Sequence, residues 1–279
     1  MMTREEKISL INEKSKLMRE RSLEMGLHAG SNGAHFGPGF SIMEIMAALY
    51  FTVMKHDPKN PSWEERDRFV LSKGHAVIAL YNCLAECGYF PVEELKNFET
   101  NDHFLAGHPS MDISKGIEIS SGSLGNGIAV AVGMAAAAKR KGQSFTVYCL
   151  VGDGECNEGL VWEAAMMAAH YCLDNIVVIV DKNGYQNSGK ANDVMFMGDL
   201  TDKWRSFGWH TKEINGHDAG QLIDALDPRS RGKGKPYVIV AETIKGKGVS
   251  FMENNVKWHH RGISPEEMAE AMKELEAVK

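Results

Sequence analysis

The chain has 279 residues, of which 43% are hydrophobic and 24% carry charge. These proportions are typical of a folded globular protein, and the length suits one large α/β domain. No apolar run approaches the roughly 20 residues of a membrane-spanning helix, and the net charge of −6 gives no general attraction to nucleic acid. We therefore expect a single domain over residues 1–279 that binds neither membranes nor nucleic acids.

The N-terminal segment MMTREEKISLINEKS is charged and lacks the apolar stretch and cleavage site of an export signal. The five cysteines are odd in number and include no CxxC pair, so we expect reduced thiols and a cytoplasmic location. Cys83 and Cys87 share one face of a predicted helix, but a zinc site would need further ligands.

The first predicted helix covers about residues 4–25, where apolar residues recur among charged ones. The glycine-rich segment GLHAGSNGAHFGPGF at 26–40 predicts a loop. Ser41 is a candidate N-cap for the next helix, and Glu44 would complete a capping box. Near the other end of the chain, SPEEMAEAMKELEAV predicts an N-capped helix over about 264–277.

Four short apolar runs predict strands: RFVLS, FTVYCLV, IVVIV and YVIVA. Their residues are continuously apolar rather than alternating, as in strands that are covered on both faces. We therefore predict a three-layer α/β/α fold with a central, mostly parallel sheet. Ligands of such sheets bind beyond the carboxyl ends of the strands.

Polar residues follow each predicted strand. The second strand ends in Gly152, Asp153 and Gly154, and Asn183 follows Asp153 by 30 residues, about the length of one strand–helix–strand crossover. Both side chains would then emerge at the same sheet edge, where their oxygens would suit Mg²⁺ or Ca²⁺ and the glycines would admit a diphosphate. The alternative is a tight turn in which Asp153 only caps a helix. The other polar residues at strand ends are Lys73, His75, Asp181, Lys245 and Lys247.

The segment from Gly152 to Asn183 resembles the thiamine diphosphate motif, which begins GDG and ends in an asparagine one crossover later. Four further segments resemble those of transketolases: FVLSKGHAVIALY, AGHPSMD, EISSGSLGNGIAVAVGMA and KGKGVSFMENNVKWHH. All stand in the family's order. The chain is therefore similar to the diphosphate-binding (PP-type) domain of transketolases, which implies the thiamine diphosphate-binding fold.

The resemblance implies a role for each matching position. Asp153, Asn183 and the backbone carbonyl of Tyr185 would ligate Mg²⁺, for which Ca²⁺ or Mn²⁺ can substitute. Glu158 matches a glutamate that links paired active sites across a subunit interface. The residues implied in cofactor binding are His75, Gly122, Ser123, Leu124, Gly154, Glu155, Asn183 and His259. The implied catalytic residues are the substrate-channel histidines His35, His108 and His259, because a pKa near neutrality suits proton movement at sugar hydroxyls.

One departure from the family pattern lies in the first histidine loop. The family usually has GHPG there, whereas this chain reads GAHFGPG. His35 matches the family histidine when it is counted back from Ser41.

The resemblance also implies a partner. In the family, the glutamate that activates the cofactor lies in a second domain, as do most residues that bind the sugar phosphate, and this sequence ends soon after the first domain. The implied protein is the N-terminal subunit of a split transketolase, active only with a C-terminal subunit that carries the pyrimidine-binding domain, as an α2β2 heterotetramer. It would transfer a two-carbon ketol unit from a ketose, or ketose phosphate, to an aldose.

Other functions remain open. The chain could serve another thiamine diphosphate enzyme, similar to deoxyxylulose-phosphate synthase or to 2-oxoacid enzymes, although GHPSMD and LSKGH favour transketolase. A non-catalytic cofactor-binding relative is the third possibility, against which the intact candidate site argues. Nicotinamide binding is not expected, because Val130 stands where a dinucleotide fingerprint needs its third glycine. The sequence does not identify the ketose or the aldose.

Overall fold

A computed structural model describes residues 2–277. Its centre is a five-stranded sheet with the order β1-β2-β3-β5-β4, in which every neighbouring pair is parallel. The strands are β1 Arg68–Leu71, β2 Val147–Gly152, β3 Ile176–Lys182, β4 His210–Asn215 and β5 Tyr237–Glu242. The predicted parallel α/β architecture is confirmed.

Helices cover both faces of the sheet. In chain order they are α1 Arg4–Ala29, α2 Phe36–Phe40, α3 Met43–Ala48, α4 Val77–Cys87, α5 Asn126–Lys141, α6 Gly159–His170, α7 Ala191–Val194, α8 Leu200–Ser206, α9 Ala219–Leu226 and α10 Pro265–Ala277. None of the helices in this described part of the chain is both long and apolar enough to cross a membrane.

Successive side chains of the central strands enter two separate apolar cores. In β2, Tyr148 and Leu150 pack with residues of α1, α4 and α9, whereas Val147 and Cys149 pack with residues of α5, α6 and α8. Because both faces are covered, neither alternate set of side chains has to be polar. This explains why the strand sequences are continuously apolar.

Two sequence predictions near the N-terminus are wrong. The loop predicted over 26–40 contains the end of α1 and all of α2. Ser41 does not cap α3: its hydroxyl donates hydrogen bonds to Asp181 Oδ2 at 2.8 Å and to Pro38 O at 3.0 Å. Glu44 forms no capping box, because its buried carboxylate pairs with Arg19. Tertiary contacts therefore use both side chains.

The C-terminal prediction is confirmed in detail. The amide of Glu267 donates to Ser264 Oγ at 3.2 Å, and the amide of Ser264 donates to Glu267 Oε2 at 2.9 Å. This reciprocal pair is a capping box at the start of α10.

The strand β4 was not predicted from the sequence. Its sequence, HTKEIN, lies at the edge of the sheet and buries only Ile214. An edge strand with mostly polar residues lacks the continuous apolar pattern by which the other four strands were predicted.

Candidate active site

A cavity of about 380 Å³ lies at the carboxyl edge of the sheet, beyond β1, β2, β3 and β5. The loops that follow those four strands contribute Lys73, Asp153, Asn183 and Lys245. The predicted site residues in its lining are His35, His75, His108, Gly122, Leu124, Asp153, Gly154, Glu155, Glu158, Asn183, Tyr185 and His259. Segments far apart in the sequence thus converge on one site.

Ser123 is the predicted site residue that does not line this cavity. It is exposed, and its hydroxyl accepts a hydrogen bond from Asn126 Nδ2 at 3.0 Å. Its side chain therefore interacts locally at the start of α5.

Asp153 follows β2 and is buried, with 6% of its surface exposed. Its Oδ1 accepts from the amide of Gly154 at 2.8 Å, and its Oδ2 accepts from the amide of Gly184 at 2.7 Å. Burial and the nearby Asp181 raise the pKa of Asp153 to about 6, because two neutral amide donors compensate the charge only in part. The first amide contact is the helix cap of the alternative prediction. In the described range 2–277, no cationic side chain contacts the Asp153 carboxylate.

Asn183 follows β3 and is held by the carboxylate of Asp181, two residues earlier in that strand. Its Nδ2 donates to Asp181 Oδ2 at 2.6 Å, and its Oδ1 accepts from the amide of Tyr185 at 3.0 Å. Because a carboxylate accepts only from the amide nitrogen, the Asp181 contact fixes which end of the Asn183 amide is the oxygen. The amide oxygen is therefore directed away from Asp181.

Asp181 is fully buried among donors. Lys73 Nζ donates to its Oδ2 at 2.6 Å, Ser41 Oγ donates to the same oxygen at 2.8 Å, and Thr243 donates to Oδ1. Burial alone would raise the pKa of Asp181, but Lys73 and the hydrogen-bond donors lower it below its usual value. This buried cluster connects the ends of β1, β3 and β5.

Glu155 lines the cavity, but both of its oxygens have protein donors. Its Oε1 accepts from Ser72 Oγ at 2.5 Å and from the amide of Gly125 at 2.9 Å, and its Oε2 accepts from the amide of Gly152 at 3.0 Å. The carboxylate thereby joins the turn before α5 to the turn after β2. These hydrogen bonds of Glu155 hold the two turns in place as part of the cavity wall.

The histidines form one group at the cavity. The ring centroid of His35 lies 5.4 Å from that of His75, 5.7 Å from that of His108 and 5.5 Å from that of His259. His260, which the sequence did not single out, is nearer still, with its centroid 4.2 Å from that of His35. Backbone hydrogen bonds between Ala34 and Arg261 hold the two histidine-bearing segments together.

Burial favours the neutral form of three of these imidazoles, those of His35, His75 and His259. It lowers the pKa of His35 to about 3, with a smaller contribution from neighbouring histidines and Lys245. The pKa of His259 is lowered to about 3 by burial and by Lys245, and that of His75 lies well below its usual value for the same kind of reason. A neutral imidazole offers one donor and one acceptor, which suits a hydroxyl group.

Lys245 lies in the wall between the predicted metal side and the histidines. Its Nζ contacts His259 Nδ1 at 2.8 Å and donates to Gln186 O at 3.1 Å. Burial and Lys73 lower the pKa of Lys245 to about 8, so at neutral pH it is mostly an ammonium group. Nδ1 of His259 must then accept, and the proton of the neutral ring resides on Nε2.

The available donors fit a hard cation that shares its coordination with a ligand. Within residues 2–277, no three His, Cys, Asp or Glu side chains gather to hold a metal. The oxygens of Asp153, Asn183 and Tyr185 can supply part of an octahedral set, which a diphosphate and water would complete. Gly154 lines the cavity and packs closely against Gln186, because a Cβ there would lie 2.7 Å from Gln186 Cγ. The site therefore fits a metal-bound diphosphate.

The pairing of Lys73 with Asp181 and the contact of Lys245 with His259 were not anticipated. The sequence marked Lys73, Asp181 and Lys245 only as polar residues at strand ends. The pairing of Lys73 with Asp181 could have been inferred from the positions of the two residues at the ends of β1 and β3. That inference requires the strand order, in which only β2 separates these two strands. The sequence held no such indication for Gln186 and His260.

Comparison with protein families gives one match over most of the chain. The family model described as "Transketolase, thiamine diphosphate binding domain" matches residues 13–277. Among curated proteins, the 6-deoxy-6-sulfo-D-fructose transketolase subunit SqwG of Clostridium sp. is 44% identical over 87% of this chain and 88% of its own length. One of the apulose-4-phosphate transketolase subunits, from Actinobacillus succinogenes, is 40% identical over 95% of each chain.

Solved structures agree with these relatives. Transketolase from Campylobacter jejuni superposes with a TM-score of 0.88 at 32% identity, over 96% of this chain. The match covers 43% of the Campylobacter chain. The fold described above therefore corresponds to one part of that longer protein.

Proposed function

Because the chain belongs to the transketolase family, as its thiamine diphosphate-binding domain, we propose that it is the N-terminal subunit of a split transketolase. With its partner it transfers a two-carbon ketol unit from a ketose, or ketose phosphate, to an aldose acceptor. The support for a separate subunit is that the two relatives named as transketolase subunits match it over 88% and 95% of their own lengths. The convergence of Asp153, Asn183 and the histidines on one cavity is the observation that carries the proposal.

We propose that Asp153, the amide oxygen of Asn183 and the carbonyl of Tyr185 hold Mg²⁺, and that Ca²⁺ or Mn²⁺ can replace it. The metal would supply the cation that Asp153 lacks within the described part of the chain. His75, Gly122, Leu124 and Gly154 would contact thiamine diphosphate. Glu155 would act on the cofactor through the turns that it holds, because protein donors already occupy its oxygens.

When bound, thiamine diphosphate supplies the nucleophilic carbon for cleavage and formation of the carbon–carbon bond. The residues of this chain bind and orient the sugar. His35, His108 and His259 would line the substrate path, hold the sugar hydroxyls and assist proton movement there. Since the pKa values of His35 and His259 are about 3, these two residues meet the substrate as neutral donors and acceptors.

The partner would be a C-terminal transketolase subunit with the pyrimidine-binding domain, in an α2β2 heterotetramer. Glu158 is exposed at the cavity edge, where it would take part in the subunit interface. The whole chain is proposed to act as a single domain. A cytoplasmic location is part of the same proposal, supported by the five unpaired cysteines.

The test is to co-purify the chain with the product of its neighbouring gene and to assay ketol transfer with thiamine diphosphate and Mg²⁺. The donors should include ordinary ketose phosphates, a 6-deoxy-6-sulfo sugar and apulose 4-phosphate, because the relatives are named for the last two. We expect transfer from at least one donor, and only when both subunits are present. No turnover with any of them would contradict the proposal, and decarboxylation of pyruvate would favour a 2-oxoacid or deoxyxylulose-phosphate-type enzyme.

A further inference from the structure

A row of buried polar groups connects α1 to the loop that follows β5, outside the candidate active site. Arg19 Nη1 lies 2.7 Å from Glu44 Oε1, and Arg19 Nη2 donates to Glu44 Oε2 at 2.8 Å. Glu44 Oε2 is also 2.9 Å from His217 Nδ1. Burial alone would raise the pKa of Glu44, but Arg19 and His217 lower it to about 2, so the group is a carboxylate.

The hydrogen bonds of His217 fix its tautomer. The amide of Ile244 donates to His217 Nε2 at 2.8 Å, so this nitrogen carries no proton. Nδ1 must then hold the proton of the neutral ring and donate it to Glu44. The side chain of His217 is 11% exposed and that of Glu44 is 10% exposed. The ring is therefore a fixed bridge between α3 and the backbone at Ile244.

Ile244 stands between Thr243, which bonds to a buried carboxylate beside the candidate active site, and Lys245, which lines that site. Thr243 donates to the buried Asp181, and Lys245 donates to Gln186 O and contacts His259. The strand ends at Glu242, so the sheet ladder no longer holds the backbone at Ile244. His217 accepts the one amide proton between these two contacts, and it does not itself line the active-site cavity.

We propose that His217, oriented by Glu44, is a positioning residue for Lys245 and, through Lys245, for His259. The inference rests on the proposed function only for its catalytic consequence. The structural part concerns this chain alone: the His217 bond fixes the backbone from which Lys245 extends, and Lys245 fixes the ring of His259. Without that bond, Lys245 would reach His259 less often, and the proton of the His259 ring would no longer be held on Nε2.

The experiment compares three substitutions at one position in the full chain. His217→Gln places an amide oxygen near the position of Nε2 and retains an acceptor for Ile244. His217→Leu has no acceptor for the Ile244 amide. The side chain of His217→Asn is too short for its oxygen to reach that amide, so the Asn variant replaces the Leu variant if the latter does not fold. His170→Leu, an exposed histidine at the end of α6, is the matched control. Circular dichroism and thermal unfolding identify the folded variants.

The first readout is the ¹⁵N resonance pair of the His259 imidazole in histidine-labelled chain, which reports directly on its tautomer and needs neither cofactor nor partner. We expect the Leu and Asn variants to move these resonances and the Gln variant and the His170 control to leave them in place. The second readout, in the complex with the partner, is kcat at saturating donor. We expect it to fall about tenfold in the Leu or Asn variant with KM changed less than about threefold, and to be largely restored in the Gln variant.

Unchanged His259 resonances in a folded Leu or Asn variant would overturn the inference, as would a Gln variant that shifts them as far as Leu does. A parent complex without ketol transfer would refute the proposed function and leave the resonance test of His217 valid. The two ideas can therefore fail separately.

Discussion

The ends of β2 and β3 carry two buried aspartates whose surroundings differ. Gly152, the last residue of β2, is in register with Asp181 of β3, and the amide of Asp153 donates to Asp181 O at 3.1 Å. Asp181 is 0% exposed and Asp153 is 6% exposed. Burial therefore opposes the charge of both carboxylates to a similar degree.

Their partners make the difference. Asp181 has the ammonium group of Lys73 and three further side-chain donors, and its pKa is lowered. Among residues 2–277, Asp153 contacts two backbone amides and no cation, and its pKa is raised to about 6. The charge of Asp181 is paired within the fold, whereas that of Asp153 is not. We therefore propose that Asp181 is a structural carboxylate and that Asp153 binds a cation from outside the chain.

The largest expected effect is the loss of folding stability when Asp181 is replaced. Asp181→Asn would leave Lys73 charged and buried without its counterion, so we expect the free energy of unfolding to fall by about 3–5 kcal/mol. Urea unfolding of the cofactor-free chain measures this. Asp153→Asn, made as the matched variant, should cost far less because it removes an uncompensated charge. Equal losses of unfolding free energy in the two variants would show that the two carboxylates do not differ in their contribution to stability.

The second prediction concerns ligand binding. Asp153→Asn should weaken Mg²⁺-dependent binding of thiamine diphosphate by at least about 100-fold, because loss of a direct ligand should exceed the loss seen for outer-sphere partners. Titration calorimetry measures the affinity. Asp193→Asn, at an exposed aspartate in α7, should bind like the parent chain. An unchanged affinity in Asp153→Asn would argue against the metal assignment.

The pH dependence of stability sharpens the comparison. Because the pKa of Asp153 is about 6 in the folded chain and its ordinary value is 3.8, the folded state binds this proton more tightly than the unfolded state does. The metal-free parent should therefore lose stability relative to Asp153→Asn as the pH rises from about 4 to 6, by at most about 1.4 kcal/mol per pH unit. Above about pH 6 the difference should level off.

Urea unfolding of both proteins at intervals between about pH 4.5 and 7.5 gives this difference directly. If the parent instead gains stability relative to the Asn variant over this range, Asp153 already has a compensating cation inside the chain.

The smallest expected effect is the loss of thiamine diphosphate affinity when Gly154, next to Asp153, is replaced by alanine. Gly154→Ala would place a Cβ 2.7 Å from Gln186 Cγ and 3.1 Å from Gln186 Cδ, so the Gln186 side chain would have to shift. We expect about a tenfold loss of thiamine diphosphate affinity, or about 1.4 kcal/mol, with little change in unfolding. Gly159→Ala is the control, since a Cβ there has nothing within 4 Å. Similar affinities for the two alanine variants would mean that no ligand approaches Gly154.

The sequence predicted that Asp153 and Asn183 lie together at one cavity, but it did not predict the pairing of Asp181 with Lys73. Asp153 and Asn183 could be placed together because strand–helix–strand spacing and parallel strands determine where both side chains emerge. The pairing of Asp181 with Lys73 depends on strand order and on side-chain reach, which no local pattern contains. Ser41 illustrates the same limit: its capping motif is correct in form, but its hydroxyl bonds to Asp181, 140 positions away.

The strands of the sheet could be predicted only where the sequence has a continuous apolar run. Four strands were identified because strands that are buried on both faces need continuous apolar runs. The edge strand β4 does not need such a run, so its sequence shows no strand pattern. The helix boundary near Ala29 was misjudged because glycines at 26 and 30 indicate a break, although Gly26 lies inside α1, where Phe36 packs too closely for a Cβ. Close packing, not a turn, explains that glycine.

The most direct measurement of the central claim is the anomalous diffraction of crystals of this chain grown with thiamine diphosphate and Mn²⁺. We expect a single strong peak within coordination distance of Asp153, the Asn183 oxygen and the Tyr185 carbonyl, with Asp181 still paired to Lys73. Diphosphate bound in the cavity with no metal at Asp153, or a metal bound at Asp181, would contradict it.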